Sequence, residues 1–141
     1  MTAVEPTTGL RTRAAALHPS PRIEWLDDAL PDLPVVLARG ERFDAVLLTA
    51  VWMHLDEQQR RRAMPNIGSL LRDGGLLALT LRHGPVPPGR RMFEVSAEET
   101  ACLAKGRGLR PLLRLDGQVG QLRRPGVAWT RLAFRKSVEV D

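Results

Sequence analysis

Residues 43–82 read FDAVLLTAVWMHLDEQQRRRAMPNIGSLLRDGGLLALTLR, and this stretch decides the fold. The run AVLLTAV has no polar alternation, which is how a strand covered on both faces reads. Asp56 then stands three residues ahead of Gln59, the pattern of a capping box at a helix start. Ala63, Ile67, Leu70 and Leu71 follow as an apolar stripe at helical spacing. Gly74–Gly75 ends the element, and LLALTLR at 76–82 is a second buried strand. Pro65 lies inside the helix and is expected to bend or break it, because its ring clashes and its amide hydrogen is missing. Strand, helix and strand in this order predict that 43–49 and 76–82 are adjacent and parallel.

Working outward, TAVE at 2–5 and RIEWL at 22–26 are short strands on either side of a helix over 9–17, GLRTRAAAL. The turn formers of HPSP stop that helix. DDALPDLPVVLARG, 27–40, reads as a loop with a short helical turn. On the other side, GPVPPGRR at 84–91 is a proline-rich loop. Ser96 and Glu99 predict a capping box for a helix over roughly 97–106. Strands are expected at 109–115 and 127–135, the latter alternating as a half-exposed strand does. Early strands separated by helices, then strands of antiparallel character, predict an α/β domain with a mixed sheet whose last strand is antiparallel.

The chain has 141 residues, 43 % of them hydrophobic, which suits one soluble domain. No apolar run approaches the roughly 18 residues of a membrane span, and there is no basic-then-apolar leader pattern. A single cysteine, Cys102, makes no internal disulfide, so a reducing, cytoplasmic setting is the expectation. The net charge is +5 and nearly all the cations are arginine. Arginine content suggests phosphate contacts, but Arg60–Arg62, Arg90–Arg91 and Arg123–Arg124 are short clusters without interleaved aromatics. A solvated arginine-rich surface is the simpler reading, and nucleic-acid binding is an alternative.

In open α/β sheets ligands bind outside the carboxyl ends of the strands. Here that rule selects Glu5, Asp27–Asp28, Thr49 and Arg82–His83. An acid in the position of Glu5 can accept two hydrogen bonds from a ribose diol. The plain structural role of Asp27 is a cap on a turn or helix. No glycine-rich loop stands in strand-to-helix context, since GQVGQ at 117–121 precedes a late strand.

The order VEP, LDDALPDL, FDAVLLTAVWMHL, LLRDGGLLALTLRHG and VAWTRLAF resembles the class I S-adenosylmethionine-dependent methyltransferases, over residues 2–136. DGG stands where PGG is commonest in that family. The resemblance implies an incomplete Rossmann-like sheet from a family order of 3-2-1-4-5-7-6, with S-adenosylmethionine as cofactor. It implies that Glu5 binds the ribose hydroxyls, that Asp28 and the Ala29 amide face the adenine, and that Thr49 and Ala50 border the methionine end. Trp52, His54 and Arg82 would then lie on the acceptor side as substrate-binding residues, with His83 as the candidate base. The family's first strand and glycine-rich loop would stand before residue 2, so 1–141 is expected to be a single methyltransferase-like domain truncated at its N-terminus. The expected function is methyl transfer to a small-molecule acceptor. A non-catalytic remnant acting as an interaction module, with a homodimer formed through the sheet edge, is a further alternative. TAVW at 49–52 stands where base-methylating relatives carry an NPPY-type tetrapeptide, which lowers that role.

Overall fold

The computed structural model describes residues 1–120 and 122–138. Among these residues six strands, four α-helices and a 3-10 turn follow one another. Strands β1 (Thr2–Val4) and β2 (Glu24–Leu26) flank helix α1 (Thr8–Leu17) and pair in parallel. Helix α2 (Pro34–Ala38) follows, then strand β3 (Phe43–Leu48), a 3-10 turn (Trp52–His54), helix α3 (Glu57–Leu70) and strand β4 (Leu71–His83). Helix α4 (Ala97–Lys105) leads to strands β5 (Leu109–Gln118) and β6 (Ala128–Lys136).

Strands β3 and β4 are adjacent and parallel, and β6 is antiparallel to both β4 and β5. The sheets have the orders β1-β2 and β3-β4-β6-β5. The four-stranded order, with antiparallel β6 between β4 and β5, makes a mixed sheet. Among the described residues β1 and β3 are not paired with each other. The two pieces meet through side chains: Leu26 of β2 and Phe43 and Val46 of β3 pack around Leu33, Val36 and Leu70.

The main core lies between one face of the four-stranded sheet and helices α3 and α4. Leu77, Leu79 and Leu81 of β4 and Leu132 and Phe134 of β6 meet Ala63, Met64 and Ile67 of α3 and Ala97 and Ala104 of α4. Alternate residues of a strand point to opposite faces, and the pairing register shows what the other face carries. One row across the four strands is Leu47, Ala78, Ala133 and Leu113. Leu47 is 69 % exposed and Leu113 47 %. This second face is largely open.

Three local expectations are corrected. Helix α3 runs through Pro65 unbroken. The amide hydrogen that proline lacks would have bonded the carbonyl of Arg61, an exposed residue whose carbonyl water can reach. Strand β4 begins at Leu71 and carries Gly74–Gly75 inside it, with a register shift between the Phe43–Leu71 and Ala45–Leu76 pairs. The glycines form a bulge rather than the end of the helix. Finally, Asp56 and Gln59 complete their capping box at 2.8 and 2.9 Å, but Ser96 does not. The Ser96 hydroxyl oxygen accepts from the Glu99 amide at 3.0 Å, while the Glu99 carboxylate turns to Arg60.

Candidate functional site

Two strand ends converge on one cavity. Leu48 ends β3, and the chain turns sharply at Ala50, whose φ of 57° is left-handed. The Ala50 amide donates to the Thr80 Oγ1 of β4 at 2.8 Å, which ties the turn to the open sheet face. Thr80 pairs with Arg131 and Arg82 with Trp129, so all four residues share that face. A cavity of about 500 Å³ lies there, lined by Thr49, Ala50, Met53 and His54 from the β3 end and by Thr80 and Arg82 from β4. Its far wall comes from Trp129, Arg131 and the segment ahead of β6.

That wall is held by close backbone contacts. A methyl group added at Gly84 would come within 2.5 Å of the Gly126 carbonyl oxygen, so the end of β4 touches the chain entering β6. At Gly120 a methyl would meet the Trp129 Nε1 at 2.7 Å, so backbone lies against the edge of the indole. Arg82 is buried and donates to the carbonyls of Gly84 and Pro85 at 3.4 and 2.8 Å, which fixes the loop after β4.

Of the expected site residues, Thr49, Ala50, His54 and Arg82 come together in this cavity. His54 is exposed, and its Nδ1 lies 3.4 Å from the Arg91 carbonyl oxygen. A carbonyl only accepts, so this contact forms in the tautomer with the hydrogen on Nδ1, which leaves the Nε2 lone pair free.

His83 is elsewhere, because it follows Arg82 on the strand and so points to the opposite face. Its Nδ1 pairs with Glu94 and its Nε2 meets the Thr130 Oγ1 at 2.8 Å. Thr130 in turn donates to Asp116 at 3.1 Å. Both ring nitrogens are engaged, and the ring is not among the cavity's lining. The Arg114 guanidinium beside Asp116 holds that carboxyl below its usual range, with burial opposing and Thr130 and His83 adding to the lowering.

Trp52 is also displaced from its expected place. It is fully buried in the main core, and its Nε1 has no hydrogen-bond partner among the described residues. There it packs against the apolar residues of the core. Asp28 is buried at 5 % exposure, and its two oxygens accept from the amides of Ala29 at 3.0 Å and Val36 at 2.8 Å. The carboxylate and the Ala29 amide thus bind each other and secure the loop before α2. Glu5 follows β1 and is half-buried. Its backbone is fixed, since its amide donates to the Leu26 carbonyl at 3.1 Å and its carbonyl accepts from Arg11 at 2.8 Å. Among the described residues its carboxylate receives only a 3.3 Å contact from the Thr7 amide, so it has acceptor capacity to spare.

Several cavity residues have no place in the sequence reading: Met53, Thr80, Trp129, Arg131 and the segment around Gly120. The alternation of VAWTRLAF puts Trp129 and Arg131 on one face, and that signal was available. GQVGQ lacks the context of a phosphate loop; its Gly120 lies against Trp129, and its last residue, Gln121, lies outside the described residues.

The sequence matches the family described as Methyltransferase domain over residues 1–79. Among solved structures, it is similar to the 1,6-didemethyltoxoflavin-N1-methyltransferase of Burkholderia thailandensis, at 22 % identity and a TM-score of 0.71. That likeness covers 97 % of this chain and 61 % of that one, so this chain spans less than two thirds of that enzyme. The N-methyltransferase NodS of Bradyrhizobium japonicum is similar at 18 % identity and a TM-score of 0.74, covering 97 % of this chain and 73 % of that one. The [4+2]-cyclase SpnF is similar at 17 % identity and a TM-score of 0.67, covering 98 % and 66 % respectively. These likenesses are of fold, and a cyclase among them shows that the fold alone does not set the reaction. No curated protein matches the sequence.

Proposed function

Since the chain belongs to the methyltransferase-domain family, we propose that it takes part in methyl transfer from S-adenosylmethionine to a small-molecule acceptor. The observation that carries this is the convergence of Thr49, Ala50, His54 and Arg82 around one cavity at the ends of two parallel strands. That is where open α/β sheets place their ligands. No helix among the described residues is long and apolar enough to cross a membrane.

The residues present fit the cofactor in part. Glu5 fits, because its carboxylate has free acceptor positions at a strand end. Asp28 and Ala29 fit less well as direct adenine partners, because each already satisfies the other; their part is to hold the loop. Thr49 and Ala50 border the methionine end. When bound, S-adenosylmethionine supplies an electrophilic methyl carbon, and the carbon–sulfur electron pair leaves with the sulfur. The chain's own task is to hold the acceptor in line with that carbon. Arg82 fixes the wall of the site, and His54 replaces His83 as the group able to take a proton, at Nε2.

The test is calorimetric titration with S-adenosylmethionine and S-adenosylhomocysteine. Glu5→Gln is expected to weaken binding by about 1–3 kcal/mol, since a charged acceptor is replaced by an amide that fits a diol poorly. Equal affinities in the two proteins would remove Glu5 from the site, and no binding by either would remove the reading.

A further inference from the structure

Eight arginines among the described residues stand beside a carboxylate. Arg60 pairs with Glu99, Arg62 with Asp32, Arg72 with Asp44, and Arg91 with Asp56. Around the cavity the balance is different. Arg82, Arg90, Arg123, Arg124 and Arg131 all line it, and no aspartate or glutamate does. Arg82 is spent on carbonyl oxygens, which leave its charge uncompensated. The other four make no side-chain hydrogen bond or ion pair among the described residues. Arg123 is moreover held in left-handed backbone, with φ of 43°, a conformation that costs a side-chain-bearing residue free energy.

Like charges gathered in a concave site repel one another and raise the local potential, which concentrates anions there. Guanidinium forks also match the geometry of carboxylate and phosphate oxygens. Beside them lies the flat indole of Trp129, pinned on its edge by Gly120 and paired across the strands with Arg82. Met53 and Met92 complete the apolar part of the wall with polarizable sulfur. A volume of about 500 Å³ is ample for one or two fused rings with a charged substituent.

We infer that the methyl acceptor is a small planar anion, its carboxylate or phosphate taken by Arg90, Arg123, Arg124 and Arg131 and its ring body laid against Trp129. This rests on the reading that the cavity is an acceptor site, so the test keeps the two apart. Naphthoate, naphthyl phosphate and the neutral naphthamide are titrated calorimetrically into the protein and into an Arg123→Ala/Arg131→Ala variant. Both replaced residues are exposed, so the variant keeps its core. S-adenosylhomocysteine is titrated separately into each.

At least one anion is expected to bind, with the amide weaker by about tenfold or more, since the charge-assisted bonds are lost. The double variant should lose about tenfold in anion affinity while its S-adenosylhomocysteine affinity stays unchanged. Whichever anion binds more tightly identifies the group recognised. Equal affinity for amide and anions, or undiminished anion binding by the variant, would overturn the inference. So would a short thymidine oligonucleotide that displaces naphthoate at lower concentration than naphthyl phosphate does, because the cavity would then serve a nucleic acid. Anion binding without any S-adenosylhomocysteine binding would leave the anion site standing and sink the methyl-transfer reading instead.

Discussion

Arg60 donates from Nε and Nη2 to the two carboxylate oxygens of Glu99, at 3.0 and 3.1 Å, and from Nη1 to the Leu55 carbonyl at 2.6 Å. It is only 6 % exposed, so its charge depends on these partners. Removing the carboxylate strands a buried cation, which costs more than the pair contributes. Glu99→Ala is therefore expected to destabilise the fold by about 3 kcal/mol. Arg60→Met, which removes the charge and keeps much of the volume, should cost less. Urea unfolding of both variants checks the ranking, and a milder loss for Glu99→Ala would show that water reaches the guanidinium. In the sequence, Arg60 is one of three consecutive arginines that read together as a solvated face. The run could not say which of them a second helix would cover, because burial is decided by α4, far along the chain. The burial of Trp52 and the face taken by His83 were not legible in the sequence for the same kind of reason. A strand end shows which residues are near a site, but the face each one takes follows from register.

At the scale of elements, the cavity depends on how β4 hands over to the segment before β6. Gly84 has φ of 140°, and the position its side chain would take lies 2.5 Å from the Gly126 carbonyl oxygen. Gly89, in the following loop, has φ of 76° but open space around it. Replacing each by alanine separates conformational strain from collision. Gly89→Ala should cost about 1 kcal/mol, the ordinary price of a left-handed alanine. Gly84→Ala adds a clash with backbone, which has no rotamer to escape into, and should cost about 1–3 kcal/mol more. Thermal unfolding of the two variants reads the difference, and equal losses would mean the two segments part freely. Strand order and type were legible here from the residue patterns together with the family's strand order: AVLLTAV and LLALTLR are adjacent and parallel, and VAWTRLAF is antiparallel. The bulge at Gly74–Gly75 was not legible, because two glycines end a helix and kink a strand equally well. Pro65 misled for a physical reason too: the carbonyl it deprives of a partner belongs to an exposed residue, where the loss is small.

Over the whole molecule, one face of the four-stranded sheet is packed and the other is open. The open face carries the apolar row Leu47, Ala78, Ala133 and Leu113, and Leu115 beside it is 40 % exposed. Strand β3 pairs with β4 on one side only among the described residues. An unpaired edge bearing an exposed leucine is a template for another strand. A second copy of the chain offers the same edge and the same apolar row, so the two can meet about a two-fold axis with the antiparallel pairing such an axis imposes on identical strands. The protein is therefore expected to self-associate, with a sedimentation coefficient that rises with concentration. Leu47→Lys places a charge at the centre of that contact, the device by which natural sheets guard their edges. It should give a single, slower-sedimenting species without loss of stability, because Leu47 is already 69 % exposed in the folded chain. The cavity opens on the same face but at the β4 end near Arg82, so this substitution should leave anion binding intact. A wild-type chain that stays monomeric throughout the titration would refute the contact. If Leu47→Lys instead abolished anion binding along with association, the partner copy would be completing the cavity wall, and the site would have to be described across two chains.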